Sequence, residues 1–303
     1  MPLLDTGITF LRRGNPTIRS IKLCGQAVVL TRMKIIQQFT GYAVPDRDWL
    51  CFHMPLSWSD DYVFDGQIMR LGQAVLTNSP NGYFTRASDR DSITIGVKKQ
   101  TLTSAINALQ GTQSEAVRFD RIALHPSIGF LSAVAKLLEN DRADGSPCLS
   151  PDSVHLLSAS AEADLIDRVA IEWLNHKGAK ECNVDRAKRP SEVVGRALAI
   201  IRRNSGHLPS LSQLCEAAGV GQTRLFECFQ EVHGMAPSRY FRLTRLDAAY
   251  HRLSDARTPP KSVKEVAIEA GYDRPGRFAQ HFRQQYGELP SETLKRSFGK
   301  KDG

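Results

Sequence analysis

Thirteen arginines crowd residues 191–303, where 18 Lys and Arg stand against 12 Asp and Glu for a net charge of +6. The first 190 residues hold 22 and 20, a net of +2 toward the chain's +8. Such a balance suits an anionic partner, nucleic acid or an acidic membrane surface, although charge alone selects neither. Arginine adds shape to charge, because its fork can bond guanine bidentately or hold phosphate. Other chemistries are thinly represented. Cys24, Cys51, Cys148, Cys182, Cys215 and Cys228 form no C-x-x-C pair and suit a reduced, cytoplasmic protein. Of eight histidines only His53 lies in the β-rich part of the chain. A metal-dependent cupin-like enzyme, one alternative for such a region, would need a cluster of His and carboxylate there. There is no G-x-S-x-G, P-loop or G-x-G-x-x-G. No catalytic residue, metal site or cofactor is therefore expected.

The elements that must hold these arginines are written as a repeat. Leu214, Ala218 and Gly219 recur 52 residues later as Val266, Ala270 and Gly271. Leu225, Phe229, Gly234 and Pro237 recur 53 residues later as Phe278, Phe282, Gly287 and Pro290. A small residue before a tight turn, then two apolar residues four apart, suits two helices meeting at a steep angle. This is the helix-turn-helix pattern. One copy could be any helical hairpin; two copies with matched internal spacing, joined by the helix "APSRYFRLTRLDAAYHRLSDA", are specific. Ser210 is placed to cap the first unit, Gly219 to end its first helix, and Pro275 to open a helix in the second.

"MAPSRYFRLTRLDAAYHRL" and "EAGYDRPGRFAQHFRQQYGELPSETL" resemble the connecting helix and second helix-turn-helix of AraC/XylS-type transcription regulators. The stretch "DWLCFHMPLSW…GQIMRLGQAVLTNSPNGYFTRASDRDSITIGV" is similar to the branch containing the ethanolamine-utilisation operon regulator. The resemblance implies that an N-terminal β-rich domain senses a small-molecule effector and that the C-terminal domain binds double-stranded promoter DNA. RNA polymerase is an expected partner and a homodimer is possible; activation is the expected role, with repression left open. By the same resemblance Gln222, Thr223, Phe226 and Glu227 face the bases from the first recognition helix. Arg274, Gly276, Arg277 and Gln280 do so from the second. Arg242 and Arg283, with Arg239 and Arg252, are candidates for phosphate contacts or for a solvated face. Arg245 is either such a contact or a structural residue, pairing with Asp247 or a neighbouring helix. Gln can read adenine, Phe can touch a thymine methyl and Glu can accept from a cytosine amine. Two units on one rigid helix could enter successive major grooves about 34 Å apart.

Upstream, short apolar runs broken by "NSPNGYF" and "SDRDSITIGV" read as strands over residues 17–100, a small barrel or jelly-roll-like domain. Residues 101–180 read as helical: Phe130, Val134, Leu137 and Leu138, then Leu165, Ile166, Val169, Ala170 and Trp173, recur at helix spacing for core packing or a dimer-forming helix pair. The expected organisation is a sensing and dimerisation domain over 1–180, a linker over 181–190 and an all-α domain over 191–303. Trp49, Phe52, Trp58, Tyr62 and Phe64 could line an effector pocket or be plain core. No stretch is long and apolar enough to span a membrane. A sequence-indifferent architectural DNA-binding protein is the remaining alternative, since the charge alone would serve it.

Overall fold

The computed structural model describes residues 2–11, 17–112, 117, 119, 122–140, 153–176, 189–203, 209–255, 258 and 260–298. The first half is a two-sheet β-domain. One sheet has the order β1 (Leu3–Phe10), β4 (Phe39–Pro45), β9 (Tyr83–Ala87), β6 (Val63–Phe64), β7 (Gln67–Ile68). The other has the order β11 (Ile122–Leu124), β8 (Ala74–Thr77), β5 (Trp49–Ser57), β10 (Arg90–Lys98), β3 (Val28–Ile36), β2 (Thr17–Cys24), β12 (Ser153–Leu156). Among the described residues every pairing is antiparallel except β12 on β2.

Strand alternation gives the seven-stranded sheet two unlike faces. Ile93, Ile95 and Val97 of β10 join Leu30, Leu50 and Phe52 under the helices α1 (Lys99–Gln110), α2 (Ile128–Asn140) and α3 (Ala159–Asn175). Phe130, Val134, Leu165, Val169 and Trp173 complete that layer, so the helical periodicity of 128–175 serves core packing. Arg90, Ser92, Thr94 and Gly96 point the other way, into the space between the sheets.

Three expectations need correction. Strand structure begins at Leu3, before the expected residue 17. The region read as helical holds β11 and β12, three- and four-residue strands too short to carry a period of two. Pro190, placed in a linker, is the first residue of α4 (Pro190–Arg203). Residues 181–188 of that linker lie outside the described residues. Among the described residues no helix is long and apolar enough to cross a membrane.

The C-terminal domain is all helix. It runs through α4, α5 (Leu211–Ala218), α6 (Gln222–His233), α7 (Pro237–Ser254), α8 (Val263–Glu269), α9 (Pro275–Tyr286) and α10 (Pro290–Phe298). It has two cores, one for each repeat. Leu214, Leu225, Phe229 and Val232 pack with α4 and the start of α7. Val266, Phe278, Phe282 and Tyr286 pack with the end of α7.

The first of these cores is not self-contained. Phe84 from β9 is part of it and meets the His233 ring edge-on at 5.3 Å. Thr40 Oγ1 hydrogen-bonds His233 Nδ1 at 2.7 Å. Burial, with Arg86 nearby, pushes the His233 imidazole down to about 3, so it is neutral in the interface. The hydroxyl of Ser79 and the amide of Asn81 donate to Glu192 of α4 at 2.9 and 2.6 Å. The five-stranded sheet is thus the docking surface for the helical domain.

Candidate nucleic-acid interface

Each helix-turn-helix is built by the same local devices. In the first, Ser210 and Gln213 form a reciprocal capping box at the start of α5, with bonds of 3.3 and 2.8 Å. Gly219 then takes φ +66°, a left-handed turn that glycine enters without a Cβ penalty. In the second, Ser262 caps α8 by accepting from the Glu265 N–H at 3.1 Å, and Gly271 turns at φ +71°. Pro275 is the first residue of α9, where its missing N–H costs nothing. Ala218, Leu225 and Phe229 are buried in one unit, Ala270, Phe278 and Phe282 in the other.

Arginine also locks both turns. Arg196 of α4 donates through Nε and Nη2 to the Ala218 carbonyl at 3.0 and 2.8 Å. Arg245 of α7 reaches the Gly271 carbonyl at 3.4 Å, donates to Phe241 O at 3.3 Å and lies over the Tyr272 ring at 5.3 Å. In each case a cation meets carbonyls left open at a helix C-terminus. Arg245 is structural, and its partner is this turn rather than Asp247. Sequence reading missed Arg196 altogether. Its signal was the pairing of an arginine on the preceding helix with each Ala-Gly turn.

With those two arginines committed, the remaining side chains divide clearly. Gln222 and Thr223 are exposed at the N-terminal end of α6. Phe226 is half-buried, with less surface to offer a base. Glu227 is exposed but pairs with Arg224 at 3.1 Å, which also reaches Glu231 at 3.2 Å. That network is solvent-facing and worth about 0.2–1 kcal/mol per pair, so DNA could displace it cheaply. At the far end of α6, Val232 and His233 pack against the β-domain, while its first turns, the end a recognition helix uses, stay open.

On α9, Arg274, Gly276, Arg277 and Gln280 are all exposed, and so is Arg283 further along. Arg239 and Arg242 are exposed on α7. Arg252 is instead half-buried, 3.6 Å from Glu269 and donating to the Thr258 carbonyl. It fastens α7 to α8 and is removed from the phosphate-contact set.

The charges of Arg242, Arg245 and Arg277 all bear on Tyr272 and His281. The hydroxyl of Tyr272 and Nδ1 of His281 lie 3.1 Å apart. The imidazole of His281 is pushed down by burial and then by Arg242, Arg277 and Arg245. A cation cluster that repels a proton will hold an anion in its place. Phosphate bound at Arg242, whose charge bears most on this ring, is expected to raise the His281 pKa. An NMR titration of the ring with and without duplex DNA measures this; a pKa unmoved or lowered by DNA would place the phosphates elsewhere.

The arrangement therefore consists of two exposed helix faces, each preceded by a capped helix and a left-handed glycine turn, carried on one connecting helix. A family model described as a helix-turn-helix domain matches residues 214–296, which span both units. The XylDLEGF operon transcriptional activator 1 of Pseudomonas putida is 37% identical over 101 residues, 33% of this chain and 30% of that protein. Residues 214–296 thus form a helix-turn-helix domain similar to that of the XylDLEGF operon activators. A structure from Rhodopseudomonas palustris CGA009, described as a probable AraC family transcriptional regulator, is 31% identical over 35% of this chain and 96% of its own, with a TM-score of 0.32. ToxT from Vibrio cholerae O395 aligns over 97% of this chain and 98% of its own at 9% identity, with a TM-score of 0.34. These relatives do not single out the ethanolamine-utilisation branch. The chain spans about 30% of the length of the first curated relative it matches.

Proposed function

We propose that the chain is an effector-responsive, sequence-specific regulator of transcription in the bacterial cytoplasm. It places the N-terminal turns of α6 and α9 in successive major grooves of promoter DNA. The observation that carries this reading is the pair of exposed recognition faces on one connecting helix, with their turns locked by Arg196 and Arg245. Base contacts fall to Gln222, Thr223, Arg274, Arg277 and Gln280, with Gly276 allowing close approach. Arg239, Arg242 and Arg283 hold phosphate. Phe226 and Glu227 contribute least, the first half-buried and the second tied to Arg224.

Residues 1–180 are assigned to sensing, with dimer formation and RNA polymerase as the further partners, 181–190 to a linker and 191–303 to DNA. The docking of the two domains supports a route for the signal. On β9, Thr85 faces the space between the sheets while its neighbour Phe84 enters the core of the first helix-turn-helix. The likeness of the N-terminal segments to the ethanolamine-utilisation regulator branch rests on the quoted residues alone.

The chemically distinct faces of α6 and α9 favour sequence reading over the architectural alternative. Competition at fixed salt between a selected promoter fragment and scrambled DNA of equal length decides it. A preference of about 10³-fold or more is expected of a specific binder. Equal competition would mean binding by charge alone.

A further inference from the structure

The face of the seven-stranded sheet turned toward the five-stranded sheet is built against the usual grain. A domain core places apolar residues inward, yet here β10 sends Arg90, Ser92 and Thr94 inward and gives Ile93 and Ile95 to the helices. Between the sheets lies a cavity of about 170 Å³ whose wall includes His53, Tyr83, Thr85, Arg90, Phe39 and Met33.

Most of its polar groups satisfy one another. His53 bonds Thr94 Oγ1 at 2.9 Å and Tyr62 OH at 2.6 Å. Arg90 does not find enough partners. It is only 6% exposed and, among the described residues, pairs with no carboxylate. Its donors meet Thr85 Oγ1 at 3.2 Å, Tyr62 OH at 3.5 Å and the Met33 sulfur at 3.7 Å. Its Nε is buried without a partner. The guanidinium lies 4.7 Å from the Phe39 ring centroid, which fixes its plane. A buried guanidinium without an anion is costly, and its planar fork matches a carboxylate.

We infer that this cavity is the effector site and that its ligand is a small organic carboxylate, held by Arg90 with its apolar body against Phe39, Tyr83 and Met33. This rests on the reading of the N-terminal domain as the sensing domain. The size agrees with one small ring or short chain, since an apolar cavity of about 150 Å³ holds benzene. Phosphate fits less well: it offers no apolar body for the aromatic wall. The site is distinct from the aromatic set expected from sequence. Phe52 packs under the helices, Tyr62 and Phe64 belong to the core between the sheets, and neither Trp49 nor Trp58 lines the cavity.

The test uses the full chain without DNA, with hexanoate, cyclohexanecarboxylate and inorganic phosphate as probes and the two matching amides as neutral controls. Calorimetry and thermal melting are expected to show binding and stabilisation by a carboxylate, and neither by its amide or by phosphate. Arg90→Met is expected to weaken that carboxylate about tenfold or more, while ligand-free melting holds or rises because an unpaired buried charge has gone. If Arg90→Met fails to fold, Arg90→Lys keeps the charge, loses the fork and is expected to bind more weakly than the parent. Stabilisation by neither carboxylate, equal stabilisation by the amides, or undiminished binding in the arginine variant would overturn the assignment. A wild-type protein that binds carboxylate but no promoter DNA would instead sink the regulatory reading and leave this site standing.

Discussion

Phe282→Ala is expected to cost about 3–5 kcal/mol, the range for truncating a buried aromatic, and to remove the second recognition helix as a rigid body. Phe282 is fully buried, 5.6 Å from the Phe278 ring and 4.7 Å from the Tyr286 ring, with Tyr250 of α7 stacked at 6.1 Å. It is the point where α9 leans on the connecting helix. The second core is small, so no neighbouring layer can collapse into the gap. Urea unfolding followed by far-UV circular dichroism checks the value. A loss below about 1 kcal/mol would mean that α9 is held by something other than this aromatic cluster.

Asp247→Ala is expected to loosen the two domains from each other, at about 2–4 kcal/mol. Asp247 sits on α7, 6% exposed. It accepts from the backbone N–H of Phe10 at 3.1 Å and from the hydroxyl of Tyr286. Gln285 of α9 donates to the Phe10 carbonyl at 2.9 Å, so the end of β1 is held by both helices. Removal of the carboxyl leaves two buried donors open, at about 1–3 kcal/mol each, offset in part by losing a buried acid. The pH dependence has a definite sign. Burial raises this carboxyl to about 7, against an ordinary 3.8. Its contribution is therefore full below pH 3.8 and is lost as pH rises through about 7. Asp247→Asn is expected to flatten the decline in stability across that window. Melting temperature against pH for parent and variant measures it; parallel curves would show that this carboxyl does not titrate in the interface.

The helical half of the fold was legible because it is written twice. A repeat of Ala-Gly turns and apolar pairs fixes its own register, and each partner lies within about fifty residues of chain. Gly219, Gly271, Ser210 and Pro275 each do locally what their type favours. The β-domain was harder for physical reasons. A strand such as β12 gains its meaning only from pairing in parallel with β2, more than a hundred residues away. The docking residues were invisible for the same reason: nothing near Phe84 or Phe10 announces a helical partner. Arg245 was ambiguous because exposed phosphate-binding arginines and turn-locking arginines share one spacing on a helix. The Arg90 cavity did leave a trace, the alternation of Arg90, Ser92, Thr94 and Gly96 with Ile93, Ile95 and Val97. That trace becomes informative only once the isoleucine face is known to lie under helices.

The central claim is that α9 reads sequence through an exposed arginine rather than merely adding charge. Its most direct test is Arg277→Ala, measured against a selected operator and against scrambled DNA of equal length, each across a salt series. The side chain is exposed, so folding should change by under about 0.5 kcal/mol. Operator affinity should fall by about 1–3 kcal/mol, preference should relax at one or two base pairs, and binding to scrambled DNA should hardly move. An equal loss on both DNAs, with a salt slope reduced by about one, would make Arg277 a phosphate contact and contradict its role as a reader. Unchanged affinity for both would remove it from the interface.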